Sequence, residues 1–244
     1  MTDLEIYPAI DVRQGQVVRL QEGDPLRQTV FDAAPVFVAN RWAGQGARWL
    51  HVINLDGAFG ESNAMQELLP ALCRVGPRVQ LGGGIRSLAD VEVALNAGAA
   101  RVILGTMAVE RPELVREAVT RFGAQAIAVG IDARGGCVRV RGWQADGGLA
   151  AIDLGRQIKA MGIELVIHTD IAQDGLLSGV NAPASAELAQ ATGLRVIASG
   201  GVAGLEDIQR VRRAGLAGVI IGRALYEGRI SLKEALADDS DRGL

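Results

Sequence analysis

The chain has 244 residues, with 25 lysines and arginines, 28 aspartates and glutamates, and a formal net charge of −3. Because the two signs are interspersed, we expect no broad basic surface and no nucleic-acid partner. No apolar stretch near the N-terminus resembles a signal peptide and no run of about 18 apolar residues occurs, so we expect a cytoplasmic protein without a membrane segment. The 2 cysteines and 2 histidines offer little for a metal site, and we expect none.

Eight short runs are apolar throughout and alternate with longer amphipathic segments, a pattern typical of parallel strands that are buried on both faces. The predicted strands are Ile6–Asp11, Trp49–Asp56, Arg78–Gly83, Arg101–Thr106, Ile127–Asp132, Leu165–Asp170, Arg195–Gly200 and Gly218–Gly222. Together with about eight helices they predict an α/β fold, a single (β/α)8 TIM barrel formed by residues 1–244 as one domain. A doubly wound sheet is the main alternative. The polar tail Asp238–Leu244 follows the last predicted element.

The two halves of the chain repeat one pattern of strand, glycine turn, helix, strand and glycine turn. Residues of the first half recur 117 positions later, so that Gly83, Gly84, Asp90, Gly98 and Gly105 correspond to Gly200, Gly201, Asp207, Gly215 and Gly222. A doubly wound sheet does not explain such a repeat. We therefore predict two half-barrels of four units each, at about residues 6–122 and 123–237.

The repeated glycine turns predict two binding sites for phosphate. A glycine pair between a strand and a helix lets backbone N–H groups approach an anion at the positive end of the helix. Glycine also serves tight turns without any ligand, which is the alternative for each copy taken alone. The predicted first site contains Gly83, Gly84, Gly105 and Thr106, and the second contains Gly200, Gly201 and Gly222.

Carboxylates stand at the ends of several predicted strands, where the active sites of such barrels are built. The first predicted strand ends in Asp11, the second in Asp56, the fifth in Asp132 and the sixth in Thr169-Asp170. The first and fifth strands of an eight-stranded barrel lie opposite each other, so Asp11 and Asp132 would face one cleft. Two carboxylates in one cleft can divide the roles of acid and base. An aspartate at a strand end can instead cap the turn that follows.

Several motifs of this chain resemble one family. They are Ile6-Tyr7-Pro8-Ala9-Ile10-Asp11, Val17-Val18-Arg19-Leu20 with Gly23-Asp24, Gly82-Gly83-Gly84-Ile85-Arg86, Gly142-Trp143, and His168-Thr169-Asp170-Ile171 with Asp174-Gly175 and Gly179-Val180-Asn181. In this order, from about Ile6 to Ala237, they resemble the phosphoribosylformimino-aminoimidazole carboxamide ribotide isomerases of histidine biosynthesis. The resemblance implies an Amadori rearrangement of an aminoaldose to an aminoketose, without cofactor or metal, on a substrate that carries two phosphates.

The resemblance also implies roles for individual residues. Asp11 is expected to be the base and Asp132 the acid, with Thr169 binding the sugar or steadying a carboxylate. The other expected substrate-binding residues are Arg19, Arg86, Trp143, Asp170 and Arg223. Trp143 ends the segment Arg134–Trp143, which we predict to be a short hairpin. The two histidines, His51 and His168, lie within strands and are expected to pack in the core. We expect a monomer.

Three alternatives remain open at this point. The cyclase subunit of imidazole glycerol phosphate synthase is similar in barrel and aspartates, but a cysteine commonly precedes its first strand-end Ile-Asp pair and Asn-Thr tends to end its fourth strand. This chain has Ala9 and Gly105-Thr106 there. Bifunctional isomerases that also act on phosphoribosylanthranilate usually have valine where this chain has His168. A non-catalytic phosphosugar-binding barrel would not need opposed aspartates.

Overall fold

The computed structural model describes residues 4–21, 23–32, 34–61 and 65–240, and within them twelve strands form one sheet. The strands are β1 (Glu5–Arg13), β2 (Gln16–Gln21), β3 (Asp24–Asp32), β4 (Trp49–Asn54), β5 (Arg78–Gly82), β6 (Arg101–Leu104), β7 (Ile127–Arg134), β8 (Cys137–Val140), β9 (Ala145–Ala150), β10 (Leu165–Asp170), β11 (Arg195–Ser199) and β12 (Gly218–Ile221). Eight of them, β1, β4, β5, β6, β7, β10, β11 and β12, pair in parallel around a closed barrel, which the pairing of β7 with β10 and of β12 with β1 completes. The predicted barrel is confirmed.

Helices lie between successive barrel strands, and two more follow the last strand. They are α1 (Pro35–Ala43), α2 (Leu55–Phe59), α3 (Met65–Cys73), α4 (Leu88–Asn96), α5 (Thr106–Glu110), α6 (Pro112–Phe122), α7 (Ala151–Ala160), α8 (Ala182–Thr192), α9 (Leu205–Arg213), α10 (Arg223–Tyr226) and α11 (Leu232–Ser240). The polar tail predicted from Asp238 continues α11 as far as Ser240, and residues 241–244 lie outside the described residues. None of the helices that the structure describes is long and apolar enough to cross a membrane.

The core has two layers, as the uninterrupted apolar strands require. Inside the barrel, strand side chains that point to the axis pack on one another: Tyr7, Ala9, Trp49, Ile103, Ala128, Leu165, Ile167, Ile197 and Ile220. The larger layer fills the space between the sheet and the helices and includes the fully buried Ile10, Leu50 and Val129. Burial of each such aliphatic side chain contributes roughly 1.5–3 kcal/mol.

Two antiparallel hairpins extend the sheet beyond the barrel rim. Strand β2 follows β1 and pairs back on it, and β3 pairs with β2; in the same way β8 pairs back on β7 and β9 pairs with β8. The hairpin predicted within residues 134–143 is therefore present as β7 and β8. Because β1 and β7 are the first and fifth barrel strands, the two hairpins lie on opposite sides of the barrel mouth.

Seven of the eight predicted barrel strands end one or two residues away from the observed end, and the second strand is the most informative case. The second barrel strand ends at Asn54 and not at Asp56, because the Asn54 side chain accepts a hydrogen bond from Gly57 N and so caps α2. Asp56 lies inside that short helix and is buried. Its carboxylate accepts the backbone N–H of Gln14 at 3.0 Å, which ties the turn between β1 and β2 to α2.

Candidate active site

A cavity of about 240 Å³ opens at the carboxyl ends of the barrel strands. Asp11 from β1, Asp132 from β7 and Thr169 from β10 line it together with the first glycine turn. These three residues lie close together because the carboxyl ends of all parallel barrel strands meet at the same rim. The structure thus joins the predicted catalytic residues in a single cavity.

Asp11 is paired with an arginine that the first hairpin supplies. Arg19, on β2, donates from Nη1 to Asp11 Oδ2 at 2.6 Å, and both side chains are largely buried. Burial raises the pKa of Asp11 to about 6, although the positive charge of Arg19 opposes the shift and the nearby Asp174 adds to it. A carboxylate with this pKa is ionised at neutral pH and still basic enough to accept a proton.

Asp132 is held by neutral donors instead. The second hairpin places Trp143 so that its Nε1–H donates to Asp132 Oδ2 at 2.8 Å. Burial raises the pKa of Asp132, while the hydrogen bonds from Trp143 and Thr169 lower it in part. The indole ring also packs on Gly23 of the first hairpin, where a Cβ atom would collide with it. The two hairpins therefore meet over the cavity.

A third buried carboxylate, Asp174, belongs to the same cavity. Its Oδ1 lies 3.9 Å from Arg19 Nη2, so Arg19 bridges Asp11 and Asp174. Burial raises the pKa of Asp174, and the charge of Arg19 opposes that shift. Sequence analysis did not select Asp174 because it stands in the loop after β10 and not at a strand end. The Asp174-Gly175 motif of the family resemblance was the signal that could have identified it.

The first glycine turn combines a closely packed glycine pair with open space in front of Gly105. Gly83 and Gly84 have φ of 91° and 79°, which side chains rarely adopt, and a Cβ on Gly84 would lie 2.6 Å from the backbone of Gly57. Gly105 has no atom within 4 Å of a Cβ position, so the space in front of it is free. Thr106 begins α5, and its Oγ1 accepts the backbone N–H of Arg141 at 2.9 Å.

The second glycine turn has the same backbone and a fuller environment. Gly200 and Gly201 have φ of 92° and 82°. A small cavity of about 20 Å³ lies against them and is also lined by Gly222 and Arg223. A Cβ on Gly222 would collide with the guanidinium of Arg19, so this turn touches the arginine that binds Asp11.

The remaining predicted binding residues have protein partners. Arg86 lines the large cavity and donates from Nη2 to Gly57 O at 2.9 Å. Arg223 donates from Nη1 to Gly175 O at 2.7 Å and pairs with Glu227. Asp170 faces neither cavity, because its carboxylate accepts the Asn181 side-chain amide at 2.7 Å and so fixes the loop after β10.

The two histidines lie in different surroundings. His168 turns away from the barrel axis and its Nδ1 lies 2.9 Å from Ser185 Oγ of α8. His51 faces inward, lines the large cavity and contacts Gln80. Sequence reasoning placed both in the core, because periodicity shows which face a residue occupies but not how deep the cavity reaches along the barrel axis.

The fold and the cavity define the class: this is a (β/α)8 barrel enzyme whose buried carboxylates gather at the carboxyl ends of its strands. The family described as histidine biosynthesis proteins matches residues 5–231. The chain belongs to that family, as the sequence motifs predicted.

Individual relatives cover nearly the whole chain. It is 45% identical to a protein of Moorella thermoacetica over 240 residues, which are 97% of this chain and 98% of the relative. It is 48% identical to proteins of Symbiobacterium thermophilum and Rhodospirillum rubrum, over 96% and 95% of this chain and 96% and 98% of the relatives. All three relatives are named 1-(5-phosphoribosyl)-5-((5-phosphoribosylamino)methylideneamino) imidazole-4-carboxamide isomerase.

Proposed function

We infer that this protein is an isomerase of histidine biosynthesis that converts the N-linked phosphoribosyl aminoaldose named in its relatives into the aminoketose, by an Amadori rearrangement. The observation that carries the inference is the pair of partly buried aspartates, Asp11 and Asp132, which opposite barrel strands bring to one cavity. The cyclase and the non-catalytic alternatives lose support, because the relatives quoted above share the isomerase name.

The reaction needs one acid and one base. Opening the furanose requires a proton on the ring oxygen, and the resulting Schiff base must lose its C2 proton to form an enolamine. In this proposal Asp132 protonates the ring oxygen, since burial favours its protonated form. Asp11 removes the C2 proton, since the guanidinium of Arg19 favours its ionised form. Thr169 steadies Asp132 through its hydroxyl.

Asp174 is a second candidate for the acid. It lines the same cavity, burial raises its pKa, and it shares Arg19 with Asp11. The comparison that separates the two candidates is Asp132→Asn against Asp174→Asn. Whichever group donates to the ring oxygen should, when replaced, remove the basic limb of the profile of kcat/KM against pH, because that limb reports the ionisation of the acid.

The two phosphates of the substrate are proposed to bind at the two glycine turns. The first turn, with Gly83, Gly84, Gly105 and Thr106, offers backbone N–H groups beside the open space in front of Gly105. The second turn, with Gly200, Gly201 and Gly222, lines the smaller cavity with Arg223. Arg19, Arg86 and Trp143 would surround the sugar between them. The polar contacts of Asp170 favour a supporting role for that residue in the loop after β10.

The proposed chemistry needs no metal or cofactor, because aspartates supply both the acid and the base. Within the described residues, no group of three or more His, Cys, Asp or Glu side chains could hold a metal ion. We therefore expect turnover to survive exhaustive chelation, and recovery of lost activity by an added divalent ion would contradict that expectation. Since the reaction belongs to a biosynthetic route for small molecules, a cytoplasmic location is part of the proposal.

The direct test is incubation of the purified protein with the aminoaldose in the absence of ammonia. Formation of the aminoketose supports the isomerase. Failure of this conversion, together with turnover of the aminoketose when ammonia is added, would identify the cyclase instead. Phosphoribosylanthranilate, supplied as a separate substrate, tests for a second isomerase activity.

A further inference from the structure

Three polar side chains form a line inside the barrel, from the cavity toward the opposite end. Arg101 Nη1 donates to Gln80 Oε1 at 2.9 Å, and Gln80 Nε2 lies 2.9 Å from His51 Nδ1. The three residues pair directly across adjacent strands, His51 with Gln80 and Gln80 with Arg101, so their side chains share one face of the sheet. Gln80 is completely buried and His51 nearly so.

Arg101, at one end of this line, determines which atom donates and which accepts in each hydrogen bond. A guanidinium can only donate, so the Gln80 atom that faces Arg101 must be the carbonyl oxygen. The amide NH2 of Gln80 then faces His51, and because NH2 can only donate, His51 Nδ1 must accept. Burial, assisted by the positive charge of Arg19, lowers the pKa of His51 to about 3. His51 is therefore a neutral imidazole whose single proton is on Nε2.

The arginine that sets this direction is itself firmly held. Its guanidinium carbon lies 4.3 Å from the centroid of the Trp49 ring, a cation–π contact, and its charge also interacts with the Tyr7 side chain. These contacts, with the bond to Gln80, fix Arg101 at the amino-terminal end of the barrel, remote from the cavity.

The free end of the line opens on the cavity. The His51 ring lines it, as do Asp11 and Thr169. Within the part of the chain that the structure describes, His51 Nε2 has no hydrogen-bond partner. A donor at the wall of a cavity, without a protein partner, is costly unless a ligand or water accepts its hydrogen bond. This N–H group is thus available to an acceptor atom of whatever occupies the cavity.

We propose that Arg101 and Gln80 are positioning residues that lock His51 in its Nε2–H tautomer, so that His51 presents an uncharged donor to an oxygen of the sugar. The proposal rests on the proposed function. When the enolamine becomes the aminoketose, the oxygen on C2 loses its proton to a carboxylate while C1 gains a proton, and a fixed N–H donor stabilises the negative charge that develops on this oxygen. His51 keeps its proton throughout, and the proton transfers belong to the carboxylates.

The tautomer can be observed without substrate. The chain contains only 2 histidines, so side-chain 15N NMR spectra can be assigned with a His168→Asn variant. We expect His51 to have a protonated Nε2 and a bare Nδ1 over about pH 5–8, the range in which an ordinary histidine changes its charge. A proton on Nδ1, or titration of His51 in this range, would overturn the proposal.

Variants at Arg101 test whether the remote cation sets the tautomer. In Arg101→Glu a carboxylate replaces the guanidinium and can only accept, so the Gln80 amide should turn over and force the proton of His51 onto Nδ1. We expect kcat to fall about 10²–10³-fold, the range for loss of an oxyanion donor, with little change in KM. Arg101→Lys still donates and should keep the wild-type tautomer and kcat.

Two further outcomes decide the proposal if Arg101→Glu does not fold. Arg101→Met, of similar length, should give a mixture of both tautomers, and the wild-type spectrum remains decisive by itself. A loss of kcat in Arg101→Met with an unchanged tautomer would show a merely structural role and would refute the positioning. If the wild-type protein does not convert the aminoaldose, the proposed function fails while the tautomer measurement still stands.

Discussion

Each half of the barrel begins with a strand that carries a partly buried aspartate near its carboxyl end and continues into a hairpin that reaches back over it. In the first half the hairpin delivers a cation, since Arg19 Nη1 lies 2.6 Å from Asp11. In the second half it delivers a neutral indole, since Trp143 Nε1 lies 2.8 Å from Asp132. A full charge favours an ionised carboxylate more strongly than a dipole does. This contrast supports the proposed roles of Asp11 as the base and Asp132 as the acid.

The glycine turns show the same contrast. Gly105 and Gly222 have nearly identical backbones, with φ and ψ of −99° and −105° in one and −107° and −105° in the other. Open space lies in front of Gly105, whereas the guanidinium of Arg19 lies against Gly222. The backbone repeat therefore extends to the torsion angles, while the side chains around it differ between the halves. The second turn is coupled to the base through Arg19 and the first is not.

The largest effect is expected when the aspartate of either half is neutralised. Asp11→Asn or Asp132→Asn should reduce kcat by about 10²–10⁴-fold, the usual range for loss of a general acid or base, with little change in KM. Steady-state kinetics with circular dichroism measure this. Asp153→Asn, on the exposed face of α7, is the matched control and should behave as wild type. Near-wild-type kcat in both site variants would refute the division of roles.

Removal of the positive charge of Arg19 should abolish the electrostatic difference between the surroundings of Asp11 in the first half-barrel and those of Asp132 in the second. In the wild type we expect kcat/KM to fall as the pH drops below about 6, because Asp11 is then protonated and cannot act as a base. In Arg19→Met the pKa of Asp11 should rise, since Arg19 lowers it, and the acid limb should move to higher pH. Arg19→Lys keeps the charge and should shift the limb less. An acid limb that stays in place would show that Arg19 does not tune Asp11.

Substitution of the two equivalent glycines sharpens the comparison of the turns. Gly105→Ala should chiefly raise KM, by about 10–100-fold, because its methyl group would occupy the open space in front of the turn and weaken a charged hydrogen bond to a phosphate, which contributes roughly 1.5–3 kcal/mol. Gly222→Ala should raise KM and also lower kcat, because its methyl group would displace Arg19 from Asp11. The matched backbone angles cancel the common cost of adding a side chain. Equal effects on kcat in both variants would contradict the coupling. Gly84 and Gly201 are unsuitable, since side chains there would strike backbone atoms.

The smallest effect is expected when a neutral hydrogen-bond donor to Asp132, in the second half-barrel, is removed. Trp143→Phe removes the indole N–H, and Thr169→Val removes the hydroxyl, each of which lowers the pKa of Asp132. In either variant that pKa should rise. If Asp132 is the acid, the basic limb of kcat/KM against pH should move upward, with a loss of kcat below about 10-fold. A basic limb that is unchanged in both variants would transfer the role of acid to Asp174.

Sequence reasoning was sufficient where a residue's place follows from strand geometry. The barrel, its strand order and the meeting of Asp11, Asp132 and Thr169 at one rim all follow from buried parallel strands. The glycine repeat also marked two turns whose backbones match closely.

Features that depend on loops or on depth along the barrel axis were not accessible in this way. Asp174 enters the cavity from an irregular loop, and Asp56 was misplaced because the Asn54 cap ends the strand early. The role of His51 depends on a hydrogen-bonded line through two other strands. The partners of Asp11 and Asp132 are a charged Arg19 and a neutral Trp143. They come from hairpins whose strand register could not be predicted from any local sequence pattern.

The central claim is that one substrate spans both halves of the barrel, with one phosphate in each glycine turn. A 31P NMR titration of the protein with the aminoketose tests it directly. The account predicts two bound resonances, both distinct from free product, of which Gly105→Ala perturbs one and leaves the other in place. A single bound resonance that differs from free product, or equal perturbation of both by Gly105→Ala, would contradict it.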